Sequence, residues 1–216
     1  MENNIYIRKS SRSSISLRID NSGNLYVYCP LKFSDAQIQK IINEKKQWID
    51  KHIQNIINKR KIYQSYYNYS KIMYLGKSYD IIVSDKKLQI GESTINIRTN
   101  VNLIKTLKNW LIKRSNFIFD RLDYWAKIIG VKYLSKNHTN ARKKWGSCDS
   151  KQNIKMNFRL IMLDIKLIDY VCIHELCHII HLNHSKRFWK KVEDFLPDYK
   201  TLRKELKKYS FVLELF

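Results

Sequence analysis

The segment His174-Glu175-Leu176-Cys177-His178 constrains this chain more than any other in its 216 residues. On an α-helix, residues four apart share one face and sit about 6 Å apart along the axis. Two imidazoles placed so can converge on one metal ion. Glu175, beside the first, can reach a water on that ion and take its proton as general base. An ordinary amphipathic helix with two satisfied histidines would carry the same five letters. The context favours the metal: Asp164 is placed to cap a helix, "LIDYVCI" is an apolar lead, and His181 and His184 follow closely. His52 and His138, the other two of six histidines, lie far away in sequence.

A catalytic zinc site commonly takes three protein ligands and leaves one position open. Were the helix to run straight on, His181 would stand about 10 Å along the axis from His174. Three ligands in one row do not make three corners of a tetrahedron, so the chain must turn. Asn183 tolerates φ > 0 better than most non-glycine residues. A turn at Leu182-Asn183 would end the helix and swing His184 back, leaving His181 on the last helical turn as a donor to a ligand, a substrate contact or, in the plainest reading, a favourable positive group. The His178–His184 spacing equals that of HExxHxxGxxH zincins, with His181 where those carry glycine. Glu193, Asp194 and His181 remain rival third ligands.

Hydrophobic residues at 44% suffice for a core, and 5 Gly with 2 Pro predict long elements and few loops. Lys plus Arg exceeds Asp plus Glu by 41 to 19, a net charge of +22 spread along the whole chain. Such a surface is either merely solvated or draws in polyanions, so non-specific nucleic-acid binding is a candidate partnership. The first residues lack an apolar signal core and no run reaches membrane-spanning length, which predicts a cytoplasmic protein with no membrane partner. Cys29, Cys148, Cys172 and Cys177 form no CxxC pair and read as free thiols, with Cys172 and Cys177 in the core.

Strand patterns at "NIYIRKS", "SISLRID" and "NLYVYCP", with a turn at Asn21-Ser22-Gly23, predict a small antiparallel sheet. One helix is expected from Ser34 or Asp35 to about Lys61, with Trp48 in its core stripe. Strands broken at Gly76, Asp85-Lys86 and Gly91 follow. Next comes a long helix from about Asn100 to Ile129, stopped by Gly130. "VKYLSKN" and "NIKMNFRLIML" read as strands around the loop "RKKWGSCDSKQ". Helices begin after Asp164 and at Ser185, the latter ended by Pro197, and "YKTLRKELKKYS" is the last. In the loop, Trp145 reads as a core or pocket wall, Gly146 as a place where a side chain would obstruct, and Cys148 as structural. Arg142, Lys143 and Lys144 could hold a carboxylate or phosphate. Phe188 and Trp189 read as packing, and Tyr199 is a candidate for oxyanion stabilisation.

The run "HELCHIIHLNHSKRFWKKVEDFLPDY", with "WGSC" and the strand "MNFRL" upstream, resembles the YgjP-like zinc metallopeptidases, relatives of the SprT-like and WLM groups. "SISLRID", "LYVYCP" and "KKQWIDKHI" resemble that family's N-terminal region more loosely. The resemblance implies Zn²⁺ held by His174, His178 and His184, Glu175 as base, and a protein or peptide substrate. The expected fold class is α+β: a zincin-like core whose HExxH helix packs on a small antiparallel sheet, plus an N-terminal β-rich region and long helices. The expected division is residues 1–99 and 100–216, with both able to form one compact unit. The competing function is a nucleic-acid-associated module whose zinc site is structural or inactive.

Overall fold

The computed structural model describes residues 4–85, 87–98 and 102–216. Backbone proximity divides the chain after Gln64, where the sequence reading placed a boundary near residue 99. In the first unit, β1 (Ile5–Ser10), β2 (Ser16–Ile19) and β3 (Leu25–Pro30) form a sheet of order β1-β3-β2. The β2–β3 hairpin is antiparallel, and its turn uses Gly23 at φ +88. β1 instead runs parallel to β3, so the sheet is mixed rather than antiparallel. Leu25, Val27 and Cys29 pack against Ile38 and Ile42 of α1 (Asp35–Glu44) and Ile49 of α2 (Lys46–Ile62). Ser34 caps α1 through a capping box with Gln37. The single helix expected here is interrupted at Lys45 (φ −97, ψ 7). Trp48, expected in the core, is 40% exposed. A short turn, α3 (Gln64–Tyr67), falls at the division.

The second unit opens with β4 (Lys71–Tyr74), β5 (Lys77–Ser84), β6 (Gln89–Ile90) and β7 (Thr94–Arg98), ordered β4-β5-β7-β6. Leu75 and Gly76 both take positive φ and close the β4–β5 hairpin in two residues. Their N–H groups donate to the carbonyls of Ile161 and Met162. Two helices follow: α4 (Leu103–Arg114) and α5 (Asn116–Ile129), ended by Gly130 at φ +78. They replace the one helix expected from about Asn100, a start that lies outside the described residues. Buried Ser115 makes the break, its hydroxyl donating to the carbonyl of Ile112 at 2.7 Å.

The sheet nearest the histidine motif joins β8 (Ser135–Thr139), β9 (Gly146–Cys148) and β10 (Asn153–Asn157) in the order β8-β10-β9. β10 is antiparallel to β9 but parallel to β8, a departure from the antiparallel sheet expected. The strand predicted through Leu163 ends at Asn157 and passes into a 3₁₀ turn, Phe158–Met162. Buried Asn157 forces this end. Its side-chain amide donates to the carbonyls of Ala141 (2.7 Å) and Lys144 (3.0 Å), and its oxygen accepts from Arg159 N–H.

Helices α6 (Ile165–Ile180), α7 (Lys186–Phe195) and α8 (Tyr199–Lys208) complete the unit, with a 3₁₀ segment, Tyr209–Glu214. Asp164 caps α6 through Lys166 N–H. α6 is buried on most of its circumference because α5, α7, α8 and β9 all border it. Arg121 of α5 grips Asp169 of α6 through two nitrogens at 2.7 Å each. Cys172 and Cys177 lie in the core, as expected. Among the described residues no helix is long and apolar enough to cross a membrane.

Candidate metal centre

α6 presents His174 and His178 one turn apart, and the chain that leaves it returns His184 to the same place. The three rings offer nitrogens that all lie within 4.8 Å of one another. Nε2 of His174 and Nε2 of His184 are 3.0 Å apart. Two nitrogens at about 2.0–2.1 Å from one ion, at a tetrahedral angle, stand roughly 3.3 Å apart, so the spacing suits a shared cation. Three imidazoles also make a donor set that zinc accepts readily. No cysteine joins the three histidines among the described residues; burial, then the nearby Glu175, push the Cys148 thiol up to about 11, and burial pushes Cys177 to about 12. Burial, then the two neighbouring histidines, hold His174 down at about 3, so its ring is neutral and keeps a lone pair for a ligand.

The turn that recruits His184 differs from the one expected. α6 stops at Ile180, and His181 is already extended at φ −134 and ψ 101 rather than on the last helical turn. Asn183 does not adopt positive φ. It acts through its side-chain oxygen, which accepts from Ser185 N–H, and Ser185 in turn caps α7. His181 contributes its carbonyl, which lies 3.1 Å from Nδ1 of His178. A carbonyl can only accept, so His178 donates there and leaves Nε2 free for an ion. Glu193 and Asp194 are held elsewhere, both paired with Lys190.

Aromatic rings wall the triad. Phe188 packs against His174, His178 and His184 at centroid distances of 5.0, 4.5 and 4.8 Å. Trp189 stacks on His184, Tyr199 stacks on Trp189, and Arg203 lies over the Trp189 ring. Tyr199 is thus a buried member of this stack.

Glu175 is 6% exposed and lies under β9. Burial raises its carboxyl to about 8, while the Lys144 charge and the Cys148 backbone N–H pull it down. A Cβ built on Gly146 would fall 2.8 Å from both Cγ and Oε1 of Glu175, so the expectation of a bare backbone here is met. Arg142 and Lys143 are exposed, and of the basic run Lys144 is the member whose charge Glu175 feels. The sequence offered no sign of the Cys148 N–H, the His181 carbonyl or the Asn157 tether. Each is a backbone contact, or a contact with backbone, made across the fold.

The model of the YgjP-like metallopeptidase domain matches residues 13–209, and the chain belongs to that family. Among solved structures, the metallopeptidase zymogen abylysin of Pyrococcus abyssi is 23% identical, over 41% of this chain and 90% of that one, with a TM-score of 0.38. No curated protein matches.

Proposed function

We propose that the chain is a zinc-dependent peptidase in which His174, His178 and His184 hold the ion and Glu175 is the general base. The observation that carries this reading is the buried Glu175 carboxylate next to a convergent His₃ cluster. A zinc ion, when bound, supplies Lewis acidity that polarises a carbonyl and acidifies water.

The chain's own residues do the rest. Glu175 takes a proton from the attacking water and returns it to the leaving amine nitrogen. Burial raises the proton affinity of this carboxyl in the metal-free protein, and the charge of a bound cation would draw it back toward the ionised form that a base requires. The Cys148 N–H and the bare Gly146 backbone fix where the carboxylate points. β9 pairs with β10 along one side, and its other side lies at the end of the sheet. An extended peptide could add there as a further strand, which would lay its carbonyls beside Glu175. Phe188 and Trp189 keep water from the inner side of the imidazoles.

Glu175→Gln separates binding from chemistry. The variant should retain about one zinc per chain, since three ligands remain. Peptide hydrolysis should fall by at least about a hundredfold, the scale of a lost general base. Wild-type cleavage by the purified variant would remove Glu175 from that role.

A further inference from the structure

The face of α6 that carries the histidines begins one turn before them. Tyr170, His174 and His178 follow at four-residue steps and so share one side of the helix. The Tyr170 ring lies 6.0 Å from the His174 ring. Tyr170 is 4% exposed, yet among the described residues nothing bonds its hydroxyl. A buried hydroxyl without a partner costs stability, and phenylalanine would fill the same space without that cost. Beside its burial, the charges of Arg203, Glu175 and Tyr199 act on this phenol, so the phenol and the candidate base lie near each other. Arg203 projects from α8 with its guanidinium 4.7 Å over the Trp189 ring. Trp189 in turn borders His174 and His184, at 5.7 and 5.5 Å between ring centres.

We propose that Tyr170 is a further catalytic residue, whose hydroxyl donates to the oxygen of the scissile carbonyl as that oxygen becomes an anion. The assignment rests on the peptidase reading above. As the water oxygen bonds to the carbonyl carbon, the C=O π pair moves onto the carbonyl oxygen. The Tyr170 O–H donates a hydrogen bond there and keeps its own proton. When the C–N bond breaks, the pair returns to the carbonyl and the proton held by Glu175 passes to the amine nitrogen. A donor already fixed in place stabilises the developing charge more than it stabilises the neutral carbonyl. Arg203 adds a positive charge on the same side, which a growing anion also favours. Two other groups near the site are engaged: the Cys148 N–H is taken by Glu175, and the Lys144 charge acts on the same carboxylate. Tyr199, the phenol that the sequence suggested, stacks on Trp189 rather than on one of the three histidines.

Tyr170→Phe tests this, because it removes the hydroxyl alone. On the zinc-loaded full chain, with a peptide that the wild type cleaves, kcat should fall roughly 100- to 1,000-fold. KM should change little, as for an interaction made only in the transition state. A phosphinic peptide of the same sequence carries a tetrahedral anionic centre, and calorimetry should show its binding weakened by the same factor. Binding of the uncleaved substrate to Glu175→Gln should differ little with and without Tyr170→Phe. Zinc content and melting temperature should hold, since neither a ligand nor a partner is lost. Tyr199→Phe should cost far less. A kcat within about tenfold of wild type, a loss confined to KM, or a phosphinic peptide bound as tightly as before would overturn the assignment. So would activity lost together with zinc or melting temperature, which would give the hydroxyl a structural role. A wild-type chain that loads zinc and cleaves nothing in a varied peptide library would instead remove the peptidase reading, and this assignment with it.

Discussion

Gly146 and Glu175 contend for one small volume, and the contest is resolved by the absence of a side chain. The Gly146 backbone is fixed by its pairing with Met156, and Glu175 is buried, so neither has room to retreat. Gly146→Ala would put a methyl group 2.8 Å from the carboxylate and displace it. Misplacing a reacting group by about 1 Å costs on the order of a hundredfold in rate. Peptidase activity should fall by that amount while zinc content holds, and a fully active alanine variant would mean that the carboxylate's position does not matter. Glu175 also sets a pH dependence in the metal-free protein. Its folded value of about 8 stands above its ordinary 4.5, so the folded chain keeps its proton longer and stability is lost as pH rises between those values. His174, lowered from 6.5 to about 3, has the opposite sign, and stability is gained as pH rises across that span. Glu175→Gln abolishes only the first slope. Melting curves of the metal-free proteins should show the variant gaining on wild type between pH 4.5 and 8, by on the order of a few kcal/mol. Parallel curves would place the carboxylate in a more solvated setting than its burial indicates.

At the scale of elements, the end of α6 sets which residues reach the candidate metal centre. His181 enters through its main-chain carbonyl, which any residue supplies, whereas His184 enters through its ring. His181→Ala should therefore keep the metal, with at most the roughly 10- to 100-fold loss of an orienting change. His184→Ala should lose most of the affinity, since two imidazoles hold zinc poorly. A zinc titration of both at one pH decides, because ligand protonation makes affinity depend on pH. Strong binding by His184→Ala with loss in His181→Ala would reverse the assignment. The caps that bound these helices were legible in the sequence: Asp164, Ser185 and Gly130 each act through chemistry contained in a few consecutive residues. The break at Ser115 was not legible. Its hydroxyl turns back on Ile112 and also meets His138 of β8, a partner distant in sequence. The end of β10 was hidden for the same reason, since Asn157 reaches back to the 141–144 loop. Nothing local marks the interruption at Lys45, and its geometry has no evident side-chain cause.

Across the whole molecule, the candidate metal centre was readable because its three histidines fall within one short run. Its lid came from elsewhere: Gly146 and Cys148 reach Glu175 only through the β9–β10 register and the packing of β9 on α6. The central claim is an open His₃ site, and X-ray absorption at the zinc edge on the metal-loaded protein tests it most directly. The account predicts three nitrogen ligands at about 2.0–2.1 Å, lost with His184→Ala, and a light fourth ligand that exchanges with solvent. A sulfur at about 2.3 Å, or four protein ligands that close the shell, would contradict it.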